Sequence, residues 1–269
     1  MPKILDGKII RDEIILKLKK EIESFKSVPT LAIVQVGDLA ESSKYIKAKK
    51  VLAEKIGAVV RHVQFNESIS QDEVVVEIQR LNQDTTVHGI ILQLPIPKNL
   101  NSLEIIETIN PQKDVDGLTL LTKFIPATAK GIMAMLDYYK IEAVDKNVTV
   151  MGRSKLVGQP IAKALTGLGA KVSVVHSKIE NPKEITKIAD ILIVAIGKAN
   201  LVDETYIKSG QVVIDVGINF QDKNLVGDVD FEKVKDIVSA ISPVPGGVGP
   251  LTVASLFENL VEAYKTQYN

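Results

Sequence analysis

The feature that most limits what this chain can fold into is its rhythm. Short aliphatic runs of strand length alternate with helix-patterned segments almost from end to end. Residues 31–36 (LAIVQV) read as a strand, 40–56 as a helix, 59–65 as a strand, 70–82 as a helix and 88–94 as a third strand. The later part repeats the pattern, with strands at 148–151, 172–175, 191–196 and 212–216 separated by helical segments. Continuous apolar runs belong to strands covered on both faces. Strand–helix–strand punctuation implies parallel sheets with helices on each side. The expected fold is α/β: two doubly wound parallel-sheet domains, the second of Rossmann type, with a cleft between them. A loop-rich stretch over residues 114–126 and a helical pattern over 130–140 mark the passage between the halves. The last helix, from Leu251 onward, is expected to pack back on the first half.

Composition excludes several classes of function. The 269 residues carry 33 basic and 33 acidic side chains, so no net charge draws the chain to nucleic acid or to an anionic membrane. There is no cysteine, hence no disulfide, no thiolate metal site and no cysteine nucleophile. His62, His88 and His176 are scattered, and no metal site is expected. The N-terminus intersperses charged residues among apolar ones, unlike a signal peptide, and apolar runs such as Ile191 to Ile196 are far short of a membrane span. A cytoplasmic protein is expected.

Four local patterns suggest chemistry. After the strand ending at Met151 comes Gly152-Arg153-Ser154 with Gly158 and Pro160, a glycine loop between a strand and a helix. Such a loop can hold a phosphate on backbone N–H groups, although its spacing departs from G-x-G-x-x-G and an ordinary tight turn is the other reading. The next strand ends at His176-Ser177-Lys178, where a dinucleotide fold reads the ribose. With no acid there and Arg153 nearby, NADP fits better than NAD. In the front half, Gln93 ends an apolar strand and Asp114-Val115-Asp116-Gly117 follows later. Each has a plain alternative, a strand cap for the first and a turn for the second. Pro245-Gly246-Gly247-Val248-Gly249-Pro250 fixes a backbone while leaving its N–H groups bare, which suits close approach to a flat ligand. Tyr45 and Lys49 share one helical face. They read either as an acid–base pair in a pocket or as part of a solvated lysine-rich surface with Lys44, Lys47 and Lys50.

The order of these pieces resembles the bifunctional methylenetetrahydrofolate dehydrogenase/methenyltetrahydrofolate cyclohydrolase family over essentially the whole chain. The pieces are Tyr45-x-x-x-Lys49, Gly89 to Pro95, Lys113-Asp114-Val115-Asp116-Gly117, Gly152-Arg153-Ser154, Asp215-Val216-Gly217-Ile218-Asn219 and Pro243 to Pro250. The resemblance implies an enzyme of one-carbon metabolism, serving purine and amino-acid biosynthesis. It would oxidise 5,10-methylenetetrahydrofolate with NADP⁺ and hydrolyse the methenyl product to 10-formyltetrahydrofolate. It implies Lys49 as the catalytic lysine, Tyr45 as its partner against the folate, Gln93 as support of the lysine and Asp116 as holder of the pterin. Leu92, Leu94, Pro245, Gly246, Gly247, Val248 and Gly249 would line the substrate site, and Gly152, Arg153, Ser154, Ser177 and Ile218 the cofactor site. It implies a homodimer, a folate-binding domain over residues 1–138 with the helix 251–269, and an NADP-binding domain over 139–250. A dehydrogenase without the second activity, and a non-catalytic nucleotide sensor on the same fold, are the alternatives. The intact Tyr45, Lys49, Gln93, Asp116 and proline-glycine segment speak against them.

Overall fold

The structure, a computed structural model, describes residues 2–221 and 224–268, with the backbone alone at Glu41. In the first part of the chain the elements are β1 (Lys3–Ile4), α1 (Gly7–Ile22), β2 (Thr30–Val36), α2 (Ala40–Ile56), β3 (Val59–Phe65), α3 (Gln71–Gln83), β4 (Gly89–Gln93) and α4 (Ser102–Glu107). Then follow α5 (Ala127–Tyr138), β5 (Asn147–Met151), α6 (Gly158–Gly167), β6 (Lys171–Val175), α7 (Pro182–Ile188), β7 (Ile191–Val194) and β8 (Val212–Asp215). The chain closes with β9 (Asn219–Gln221), β10 (Asn224–Val226), α8 (Phe231–Val234), β11 (Ala240–Ile241) and α9 (Val248–Tyr268).

Two compact units result. One holds Asp12–Ala127 together with the residues from Val253 onward; the other holds the residues up to Arg11 together with Thr128–Thr252. The sequence pattern placed the joints after residues 138 and 250. The chain begins in the later unit because β1 pairs in parallel with β11, with Lys3 opposite Ala240. Two residues carry no periodicity, so nothing local announces such a strand.

In the unit built on Asp12–Ala127 the sheet order is β3-β2-β4, all parallel. β2 and β4 are buried almost throughout, which is what their unbroken apolar runs require. A parallel bridge between Ile90 and Asp114 adds one more step beyond β4. The flanking helices begin and end where their sequences say. Ser70 and Glu73 form a capping box ahead of α3, whose Val74, Ile78 and Leu81 face the core. α2 stops at Gly57, which adopts the left-handed conformation at φ 81°.

In the other unit the order is β1-β11-β8-β7-β5-β6, again parallel wherever strands pair. β5 stands between β6, which follows it, and β7, which comes next. The strand order therefore reverses at β5, and the loops after β5 and β7 part there. The core beneath is aliphatic, built on Leu192, Val194, Val213, Val234 and Ile241. The β9–β10 hairpin is antiparallel and was not expected. β7 ends at Val194, two residues before its apolar run does, and α9 starts at Val248, three residues earlier than expected.

Candidate active site

α2 answers the question raised by its lysines. Lys44, Lys47 and Lys50 are exposed, while Tyr45 and Lys49 are half-buried on the other side of the helix. Lys49 Nζ donates to Gln93 Oε1 at 2.7 Å, and Gln93 Nε2 donates to the Leu94 carbonyl at 2.7 Å. The second bond turns the amide so that its oxygen faces the amine. Gln93 is therefore more than a strand cap. It holds the lysine without adding charge. Leu92 is buried on the opposite side of β4, and Leu94 is half-buried.

Asp116 reaches the same place from the loop beyond β4. Burial pushes its carboxyl up to about 6, the Lys49 charge opposing and Asp114 adding. Burial likewise lowers Lys49, with Asp116 opposing. Each group is thus driven toward its neutral form by desolvation and held back by the other. The surrounding motif divides its labour. Asp114 is buried and accepts the N–H groups of Gly117 (3.1 Å) and Thr119 (2.8 Å) and the Thr119 hydroxyl (2.9 Å). Lys113 is buried and donates to the carbonyls of Leu81 (3.2 Å) and Asp84 (2.8 Å). Asn259 of α9 donates to the carbonyls of Val115 and Ile125, both at 2.9 Å. Gly117 has φ 75°, and a Cβ there would lie 2.8 Å from Pro126 Cα. The turn reading of Asp-Gly thus belongs to Asp114 and Gly117, which leaves the Asp116 carboxyl for the lysine's side.

The other unit gathers a second set at the carboxyl ends of its strands. Gly152 follows β5, Ser177 follows β6 and Ile218 follows β8. A Cβ at Gly152 would overlap the Ala195 carbonyl, and one at Gly158 would overlap the Gly152 carbonyl. Only glycine lets this loop lie so close to the end of β7. α6 starts at Gly158, with Val157 at its N-cap making no side-chain cap, while Ser154 Oγ accepts the N–H groups of Leu156 (3.2 Å) and Val157 (3.1 Å). Arg153 and Ser177 are exposed, and Arg153 has no ion pair among the described residues. A dinucleotide with a 2′-phosphate fits this set: a glycine loop, an uncapped helix start, a free guanidinium and a hydroxyl. Pro245, Gly246, Gly247, Val248 and Gly249 belong to this unit too, not to that of Lys49, Gln93 and Asp116. There the Gly7 N–H donates to the Gly246 carbonyl (2.9 Å), and no atom would crowd a Cβ at Gly249.

Family models also divide the chain in two, as contiguous stretches that leave the first residues with the front part and α9 with the later one. The model for the tetrahydrofolate dehydrogenase/cyclohydrolase catalytic domain matches residues 5–116, and that for the family's NAD(P)-binding domain matches residues 126–268. The chain belongs to the tetrahydrofolate dehydrogenase/cyclohydrolase family. "Bifunctional protein FolD 2" of Lactobacillus johnsonii is 43% identical over 100% of this chain and 99% of its own length. The bifunctional FolD enzyme of Campylobacter jejuni superposes with a TM-score of 0.95 at 39% identity, covering 99% of both chains. That of Trypanosoma brucei, solved with NADP cofactor and an inhibitor, gives 0.94 at 30% identity over 100% of both chains.

In this member of the family, the sequence reading missed the roles of three contributors, although it quoted Lys113 within its motif. Lys113 and Asn259 shape the loop that carries Asp116, and nothing in their neighbourhoods marks them as buried donors. The third is Asp228, whose buried carboxylate accepts the backbone N–H groups of Ile196, Gly197 and Lys198. Among the described residues no helix is long and apolar enough to cross a membrane, and no group of His, Asp and Glu is placed to hold a metal ion.

Proposed function

We propose that the chain oxidises 5,10-methylenetetrahydrofolate to the 5,10-methenyl form with NADP⁺ and then hydrolyses it to 10-formyltetrahydrofolate, with Lys49 as the acid–base group of the second step. The observation that carries this reading is the Lys49–Gln93 bond at 2.7 Å beside the Asp116 carboxyl. NADP⁺, when bound, accepts a hydride from the methylene carbon. The residues for holding it are Gly152, Arg153, Ser154, Ser177 and Ile218, with Arg153 and Ser177 favouring the 2′-phosphate over a free 2′-hydroxyl.

The methenyl product is a cation, so a neutral amine is a better neighbour for it than an ammonium. Burial of Lys49 shifts it toward that amine. Water adds to the bridging carbon while Lys49 Nζ takes its proton. The bond from that carbon to N5 then breaks, N5 receives the proton from Lys49, the hydroxyl proton of the adduct leaves to solvent as the C=O forms, and the formyl group stays on N10. Gln93 keeps Nζ in place through both transfers. Tyr45, one helical turn from Lys49, is the platform for the folate ring. The Asp116 carboxylate accepts from the amino-pyrimidine edge of the pterin, which offers paired donors. The remaining residues expected at the folate are Leu92, Leu94 and Pro245 to Gly249.

The chain works as a homodimer in the cytoplasm. β6 supports the dimer, since it is an edge strand of its sheet and exposes Val174. An uncovered edge invites pairing with a second copy. One test decides the function: NADPH formation from methylenetetrahydrofolate and loss of methenyltetrahydrofolate, each followed with purified protein. A protein that performs neither reaction refutes the assignment, and one that performs only the first removes the role given to Lys49.

A further inference from the structure

We infer that Asp228 is a positioning residue of the nucleotide site, fixing the loops after β7 and β8 against which the cofactor rests. This inference depends on the nucleotide reading above. Asp228 is fully buried, yet among the described residues it has no cationic partner. Four donors satisfy it instead. Its Oδ2 accepts the N–H groups of Ile196 (2.6 Å) and Gly197 (2.8 Å), and its Oδ1 accepts the Lys198 N–H (2.8 Å) and Asn219 Nδ2 (2.9 Å). Three successive backbone N–H groups turned on one anion form a nest. Here the anion is internal, so this nest is already filled. A cofactor phosphate is left to the loop around Gly152 and Gly158.

Asp215 extends the arrangement downward. It ends β8, is buried, and accepts the N–H groups of Gly217 (2.8 Å), Asp228 (3.1 Å) and Val229 (2.9 Å). Its own N–H donates to Ser242 Oγ at 2.8 Å. Two glycines make room for the pair. A Cβ at Gly217 would overlap the Asp228 carboxylate, and one at Gly227 would overlap that of Asp215.

Two surface loops are fixed from beneath as a result. Residues 197–200 are exposed although the N–H groups of Gly197 and Lys198 point inward. Ile218, 41% exposed, stands between Gly217, held by Asp215, and Asn219, held by Asp228. Both loops lie at the carboxyl ends of adjacent strands, next to the point where the strand order reverses, which is where open α/β sheets bind ligands. A fixed anion that shapes such loops spares the cofactor the cost of ordering them.

Asp228→Asn tests this, because it keeps the shape and turns one acceptor into a donor facing donors. Water attack on the methenyl group needs no nucleotide, so cyclohydrolase activity without NADP serves as the internal control. Asp228→Asn is expected to raise KM for NADP⁺ and weaken NADP binding about tenfold or more, with cyclohydrolase kcat/KM changed by less than about twofold. Asn219→Ala, which removes one donor of four, is expected to give the same split at about threefold. Unchanged NADP affinity in folded Asp228→Asn overturns the inference, as does a parallel fall of both activities. If Asp228→Asn does not fold, Asn219→Ala decides alone, and unchanged NADP affinity there overturns it. A wild-type protein that does not bind NADP fails the nucleotide reading itself and takes this inference with it.

Discussion

Replacing Asp116 by Asn pulls apart two things the carboxyl does at once. Burial raises Asp116 from 3.8 to about 6. The folded state then keeps its proton up to about pH 6, while the unfolded chain releases it near 3.8. Between those values the folded state binds more protons, so stability is lost as pH rises through the window. A shift of about two units corresponds to about 3 kcal/mol, and partial exposure reduces the net effect to about 1–3 kcal/mol. Asparagine cannot ionise, so the variant escapes this loss. Its Tm is expected to match the wild type near pH 4 and to exceed it by about 2–8 °C above pH 6. Function moves the other way. The amide places a donor against a donor of the pterin, at a cost of about 1–3 kcal/mol, or about 5–150-fold in folate KM for both activities. Removing the anion also lowers Lys49 further. Because the base must be a neutral amine, cyclohydrolase activity rises with pH through the Lys49 pKa, and the acid limb of its profile should move to lower pH. Thermal melts and kinetics for both activities across this pH range make the assay. Unchanged folate KM, an unmoved acid limb, or a Tm gain independent of pH would refute the reasoning.

Lys49→Ala is expected to abolish cyclohydrolase activity while NADP binding and fold persist; near-normal hydrolysis by the folded variant removes Lys49 from the chemistry. Arg153→Ala should raise KM for NADP⁺ more than KM for NAD⁺, since a charge-assisted bond to the 2′-phosphate is lost in only one complex; equal losses show that Arg153 does not read that group. His88 accepts the Thr30 N–H at Nδ1 (3.0 Å), and burial lowers its pKa below 6.5, with Lys113 adding. Stability from it is therefore complete above pH 6.5 and lost as pH falls through the lowered value. His88→Gln should flatten the fall in Tm between pH 7 and pH 5, though not abolish it, because His62 is lowered too. An unchanged slope argues against the role given to His88.

The sheets were legible because their strands are covered on both faces and so read as unbroken apolar runs. β2, β4 and β8 lie where the sequence put them to within a residue or two. β1 and β11 were not legible, since two-residue strands are defined only by the distant partner they meet. The candidate site was legible in its parts, not in its assembly. Tyr45 and Lys49 showed one shared helical face, but only the fold shows that this face turns inward and the other lysines outward. Asp228 was invisible for a different reason. A carboxylate in Gly227-Asp228-Val229-Asp230 looks solvated, and its burial depends on donors about 30 residues away. The one trace is a glycine beside each acid, Gly217 near Asp215 and Gly227 next to Asp228, and each makes room for the other's carboxylate.

The chain passes between its two compact units inside α1, at the first residue of α5 and inside α9. Neither unit is therefore one contiguous stretch of gene. A product cut after Ala127 would carry β1 without β11 and would lack Asn259, Phe257 and Leu260, all buried residues of the very unit it keeps. No single break in the reading frame yields either unit whole. A free-standing version of either unit would need its two segments joined by a new loop, Arg11 to Thr128 in one and Ala127 to Val253 in the other.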